Sequence, residues 1–195
     1  MTASDVDTEL RAIRDMLSAD IFTDNIQRHG LEWEMACASM DMIGDAQLAI
    51  DAFDRKPVSE GQRYLEVYGL FQAIFLQQDA IRFLAAALKL SGPKEDPDLS
   101  DLRELRNKYF GHPSNYTPDR KSPATHHGLT RVTVTSDEIT GWTYDPQFST
   151  ETISLNASIA KQAECATRVL GELRHELEAK REDYLRMLDV PYSGA

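Results

Sequence analysis

The chain has 195 residues, 42% of them hydrophobic and 27% charged, and a formal net charge of −11. That length suits one hydrophobic core, and the composition lies far from the low-hydrophobicity, high-charge corner occupied by disordered chains. The acidity argues against a general nucleic-acid coat protein, because phosphate binding draws on clustered Lys and Arg, and no helix-turn-helix signature points to a DNA-associated regulator.

The first residues, through Asp7, are polar and acidic and lack the basic flank and apolar run of a secretory signal. Every apolar-rich stretch is broken by charges or glutamines before it reaches the roughly 18 uninterrupted apolar residues of a membrane span. A soluble, cytoplasmic protein with no membrane contact is therefore expected. Cys37 and Cys165 stand alone inside helix-like segments, which suits small buried thiols in a reducing compartment.

In chain order, the spacing of Leu10, Ile13 and Leu17 predicts a short helix over about residues 4–18. A longer helix is predicted from Asp24 to about Asp54. Its stripe is Ile26, Trp33, Ala36, Met40, Ile43 and Ile50, interrupted by His29 and Gln47, and Lys56-Pro57 follows it. From Ser59 to about Ser91, Val67, Leu70, Ile74, Ile81, Leu84 and Leu88 keep heptad spacing with Gln77 as the polar entry. Tyr64, Tyr68, Phe71 and Phe75 form a second stripe that turns polar at Gln78 and Arg82, so this end of the helix reaches solvent or faces a polar pocket. Gly92-Pro93 is the predicted stop. A fourth, short helix, capped by Asp98 or Ser100, carries Leu99, Leu102, Leu105 and Tyr109 on one face. Gly111 fits a left-handed terminus before Pro113.

Residues 113–128 read as a loop, and the alternation through residues 129–134 and 139–144 predicts a two-stranded hairpin. A last helix over about 155–188 carries Leu155, Ile159, Ala163, Ala166, Leu170, Leu173 and Leu177. The expected fold is an all-α up-and-down bundle of four to five helices, one domain over residues 1–195, with a β-hairpin at about 129–144 inserted before the last helix.

Chemistry concentrates in the stretch from Arg106 to His112. It places a permanent cation, an amide (Asn107) and an imidazole within one and a half turns, and a break at Gly111 lets His112 swing toward the face of Arg106. Arginine offers a planar fork of donors to phosphate oxygens, and histidine moves protons near neutral pH. The two suffice for phosphodiester cleavage when the 2′-hydroxyl of RNA is the nucleophile, so no metal or cofactor is expected. The plainer reading is favourable charge at a helix C-terminus, worth roughly 0.3–1 kcal/mol. Residues 99–135 also hold six Lys/Arg against three acids, a positive island in an acidic body. Within it Arg103, Lys108, Arg120 and Lys121 are candidate RNA contacts. His126 and His127 read as loop residues, without a partner at a recognisable metal spacing. Asp79 either pairs with Arg106 across the bundle or makes an ordinary salt bridge on its own helix surface.

An Arg followed at once by a polar residue and, shortly after, a His near a helix end, here Arg106, Asn107 and His112, resembles the motif of the HEPN superfamily (higher-eukaryote and prokaryote nucleotide-binding domains). The helical order is similar over most of the chain. The resemblance implies an all-α bundle that dimerises with its two motifs facing each other. It also implies a metal-independent endoribonuclease, often a toxin or anti-phage effector with a cognate antitoxin. Arg106 would then neutralise the scissile phosphate, His112 would act as acid or base, and Asn107 would orient one of them. Other members of such a family are catalytically inactive and serve as protein-interaction or nucleotide-binding modules.

Overall fold

The computed structural model describes residues 3–18, 31–53, 59–92, 97–111, 125–130 and 137–189. They form helices α1 (Ala3–Leu17), α2 (Leu31–Asp51), α3 (Glu60–Ala87), α4 (Pro97–Leu105) and α5 (Leu155–Asp189). A six-residue π-helical turn (Arg106–Gly111) continues α4, and strands β1 (His126–Leu129), β2 (Glu138–Asp145) and β3 (Gln147–Ser154) precede α5. The helical bundle with a small β insertion before the last helix is thus as expected. The predicted start of α2, with Ile26 and His29, and positions 131–134 of the predicted hairpin lie outside the described residues. No helix among the described residues is long and apolar enough to cross a membrane.

The helices follow from their stripes. Val6, Leu10, Ile13 and Leu17 put one face of α1 into the core, with Asp5 in the first turn and Arg14 in the last, each matching the sign of the helix dipole. On α2 the stripe runs through Ala36, Met40, Ile43 and Ile50. Ser59 caps α3, its hydroxyl accepting from the Gln62 N–H at 3.3 Å.

That helix ends before the predicted stop. Lys89 takes a left-handed conformation (φ 54°), and the Leu90 N–H closes onto Ala85 O at 2.9 Å. The strain of a non-glycine residue there is offset by α5, where Lys180 donates to the Lys89 carbonyl and Glu176 accepts from the Ser91 N–H at 3.0 Å. At the start of α4, Pro97 occupies the first helical position, where its missing N–H costs nothing. Asp98 and Ser100 lie inside the helix instead of capping it, and the Asp98 carboxylate pairs with Lys161 of α5 at 2.7 Å.

Two apolar clusters make the core. One joins α1 and the middle of α2 to the later half of α3 and the middle of α5; the other gathers the end of α2, the first half of α3, Leu102, Tyr109, the sheet and Leu155. A chain of buried amides lies between them. Gln78 donates to Gln162 (2.9 Å), Gln162 to Gln77 (2.8 Å), Gln77 to Gln47 (3.0 Å) and Gln47 to Asp51 (2.9 Å). The polar end of the aromatic stripe therefore divides. Arg82 is exposed, but Gln78 is only 2% exposed and belongs to this chain of amides.

The insertion has three antiparallel strands in the order β1-β2-β3, one more than the predicted hairpin, and its first strand starts earlier, at His126. His127 pairs with Thr143, Gly141 with Glu151, and Glu138 with Ser154. Ser154 then caps α5, accepting from the Ala157 N–H at 3.2 Å.

Candidate functional site

The π turn is wedged between α3 and the sheet. On one side Phe110 stacks on Phe71 at 4.3 Å and meets Tyr68 edge-on at 5.4 Å. On the other, Tyr109, 1% exposed, enters the sheet over Gly141, where a Cβ would lie 2.5 Å from the phenol ring. One extra residue per turn widens the backbone, and such turns are frequent at functional sites. Gly111 is not left-handed, contrary to the expectation from sequence. Its lack of a side chain serves a different purpose, since a Cβ there would stand 2.8 Å from Arg106 Nη1.

Arg106 opens the turn, half-buried. Its Nη1 donates to Asn107 Oδ1 and its Nη2 to Gln72 Oε1, both at 3.0 Å, and its guanidinium carbon lies 4.4 Å from the Phe75 ring centre. Arg103 covers the same ring at 4.2 Å, and it is Arg103, rather than Arg106 or a residue of α3 itself, that pairs with Asp79, at 2.8 Å. Arg103 sits one turn earlier and reaches the α3 carboxylate first.

Lys108 points to the sheet, where its Nζ pairs with Glu151 at 2.5 Å. Of the three described cations expected to contact RNA or phosphate, two are thus neutralised by acids from α3 and β3. Among the described residues, Arg106 alone of them has neutral partners only. His112, Arg120 and Lys121 lie outside the described residues.

A continuous polar chain runs from the turn into the sheet. The Tyr109 hydroxyl donates to Glu151 and lies 3.3 Å from Thr143 Oγ1, which is 2.9 Å from His127 Nδ1; His127 Nε2 is 2.5 Å from Thr125 Oγ1. The donor directions follow from counting protons. Tyr109 has one proton and gives it to Glu151, so Thr143 donates to Tyr109 and must accept from His127. Neutral His127 therefore carries its proton on Nδ1, and Nε2 accepts from Thr125.

Burial lowers the His127 pKa, with the Lys108 charge acting in the same sense. Burial also raises that of Tyr109, reinforced by its bond to Glu151. For Glu151, burial acts upward but is outweighed by the bonds from Lys108 and Tyr109, which hold the carboxylate below its usual range. Lys108 is pushed down by burial and, more strongly, up by Glu151. At neutral pH the chain thus holds one ion pair, a neutral phenol and a neutral imidazole.

Reading the sequence alone misses Gln72, Phe75, Thr143 and Glu151 as neighbours of the motif, and places His126 and His127 in a loop when they form β1, His127 being 5% exposed. One faint signal does exist, the aromatic and β-branched residues Phe148, Thr150, Thr152 and Ile153, which favour a strand there without a clear hydrophobic alternation. No protein-family model, curated protein or solved structure matches the chain.

Proposed function

We propose that the chain is a metal-independent endoribonuclease of the HEPN type, cutting RNA at a site composed by two copies of itself, with Arg106 and His112 as the active pair and Asn107 in support. The observation that carries this reading is the guanidinium of Arg106. It is half-buried and held by two amide oxygens and an aromatic face, whereas its neighbours Arg103 and Lys108 each have a carboxylate. A fixed cation, partly removed from water and without a counter-charge among the described residues, favours an incoming anion, and a planar donor fork matches a phosphate.

In the proposed reaction His112, as base, takes the proton of the RNA 2′-hydroxyl. The 2′-oxygen attacks phosphorus, the bond to the 5′-oxygen breaks, and the leaving oxygen receives a proton from an imidazolium, supplied by the facing copy or by the same residue after proton transfer. Arg106 compensates the charge that gathers on the non-bridging oxygens. The products are a 2′,3′-cyclic phosphate and a 5′-hydroxyl, and the atoms balance without an added cofactor.

The dimeric part of the reading draws on α3. Leu65, Leu76 and Phe83 are exposed at helical spacing along one strip, Tyr68 beside them, and Gln72, the partner of Arg106, lies between. A second copy seated on this strip would be adjacent to the motif. An RNA-cutting enzyme inside its own cell needs restraint, so a toxin or anti-phage role with a cognate antitoxin fits this reading.

The test is cleavage of a defined RNA by the purified chain in excess chelator, with 2′,3′-cyclic ends on the products. Arg106→Ala and His112→Ala should each abolish cutting while sedimentation and circular dichroism stay unchanged. Intact RNA under all conditions would sink the nuclease and leave a silent bundle that binds a partner, whereas full activity of His112→Ala would remove His112 from the active pair.

A further inference from the structure

The inner face of the inserted sheet is shaped around one residue of the motif turn. Tyr109 is covered by Gly141, hydrogen-bonded to Glu151 and Thr143, and met edge-on by the His127 ring at 5.8 Å. Each strand contributes to this enclosure: His127 from β1, Gly141 and Thr143 from β2, Glu151 from β3. The same Glu151 oxygen that receives the Tyr109 proton also holds Lys108 Nζ.

Resting on the nuclease reading above, we infer that the sheet is a clamp for the Arg106 turn and that Glu151 is its principal positioning residue. With one carboxylate it locks the turn through Tyr109 and withholds the Lys108 ammonium from the phosphate, so that Arg106 is the cation of the turn without an acid partner among the described residues.

The two parts have separable consequences. Without the Glu151 charge, Tyr109 exchanges a charge-assisted acceptor for a weaker amide oxygen and keeps only the Thr143 hydroxyl beside it, so the turn is held more loosely and Arg106 departs from its productive placement. A misplacement of about 1 Å can cost about 100-fold in rate. Lys108, close to Arg106 along the turn and released from its partner, becomes a second phosphate ligand. That adds a contact to RNA backbone of any sequence, and the dependence of log K on log salt steepens by about one. A residue that merely stabilised the fold would alter neither the salt slope nor the balance between kcat and KM.

The experiment compares the full-length wild type with Glu151→Gln, Tyr109→Phe and the double variant Lys108→Met/Glu151→Gln. Glu151→Gln is expected to lower kcat about 10-fold to 100-fold while KM for RNA stays level or falls. Its salt slope should steepen, and the double variant should restore the wild-type slope without restoring kcat. Amide exchange over residues 106–111 should rise in Glu151→Gln and Tyr109→Phe while exchange in α3 and α5 holds. Should Glu151→Gln lose its fold, Tyr109→Phe, which keeps the ring in place, decides the clamp, and Lys108→Met, which leaves the wild-type salt slope unchanged only if the ammonium is withheld, decides the second part. Unchanged exchange over 106–111 in the folded variants overturns the clamp. An unaltered salt slope in folded Glu151→Gln overturns the withholding of Lys108. Should the wild type leave RNA uncut, the nuclease reading fails by itself, and exchange still decides whether the sheet holds the turn.

Discussion

Tyr109 and Gly141 are in direct contact across the gap between the motif turn and the sheet: a methyl group at position 141 would come within 2.5 Å of the phenol ring. The ring has no room to retreat, since it is 1% exposed and its hydroxyl is tied to Glu151.

Gly141→Ala should therefore destabilise the protein by about 1–3 kcal/mol, the usual cost of overpacking a well-filled site. Gly69, on α3, has open space where a methyl group would stand, with nothing within 4 Å, and serves as the control. Gly69→Ala should gain about 0.5–1 kcal/mol from helix propensity alone. Urea unfolding of the two variants checks the contrast, and equal midpoints would show that the sheet does not grip the ring.

His127 makes stability depend on pH in a window of its own. Its folded pKa lies below the unfolded value of about 6.5, so the unfolded chain binds more protons in this range. Its contribution is fully present above about pH 6.5 and diminishes as the pH falls below that value, until the folded form is protonated too. The charges that face the ring, Lys108, Glu151, Asp145 and His126, are all retained in His127→Gln. That variant should flatten the fall in urea midpoint between about pH 7.5 and pH 5.5. Glu151, whose folded pKa is also lowered, acts at more acidic pH and leaves the difference intact.

The amide chain between the two apolar clusters makes a third prediction. Gln162 both donates to Gln77 and accepts from Gln78, and all three are no more than 2% exposed. Gln162→Leu leaves a buried acceptor and a buried donor without their partner, which costs about 1–3 kcal/mol for each group. The double change Gln77→Leu/Gln162→Leu removes the mismatch between those two and should be less harmful than the single changes added together. A strictly additive result would mean that the amides do not act as a connected chain.

Stripes such as Leu10-Ile13-Leu17 and Val67-Leu70-Ile74 repeat at the period that a helix imposes on its buried face, so the bundle is legible. Gln78 is ambiguous because a glutamine on a helix suits solvent and an inter-helix amide chain equally well; only the presence of Gln162 in space, 84 positions away, separates them. Strand β3 is hard to see because most of it is exposed and Ile153 alone is buried, leaving little hydrophobic alternation. The motif stands out as Arg106 and Asn107, but its supports Gln72 and Glu151 lie 34 and 42–43 positions from the residues they hold, at distances that local spacing does not encode.

The pair Arg103 and Arg106 separates stability from function within a single structural unit. Both guanidiniums lie on the Phe75 ring, at 4.2 and 4.4 Å, yet Arg103 is bound to Asp79 and Arg106 to two amides. Removing Arg103 leaves a partly buried carboxylate unpaired and strips one face of the ring. Arg103→Ala should therefore cost about 1–2 kcal/mol in stability and little in RNA cleavage. Arg106→Ala leaves only neutral groups behind, so its stability cost should stay below about 1 kcal/mol while cleavage is lost. Arg106→Lys should fail nearly as badly, because an ammonium keeps the charge but cannot reach Asn107, Gln72 and a phosphate with one planar fork. Urea midpoints set beside single-turnover rates for the three variants test this. The division of roles falls if Arg103→Ala proves the more damaging to cleavage, or if Arg106→Lys cuts RNA at the wild-type rate.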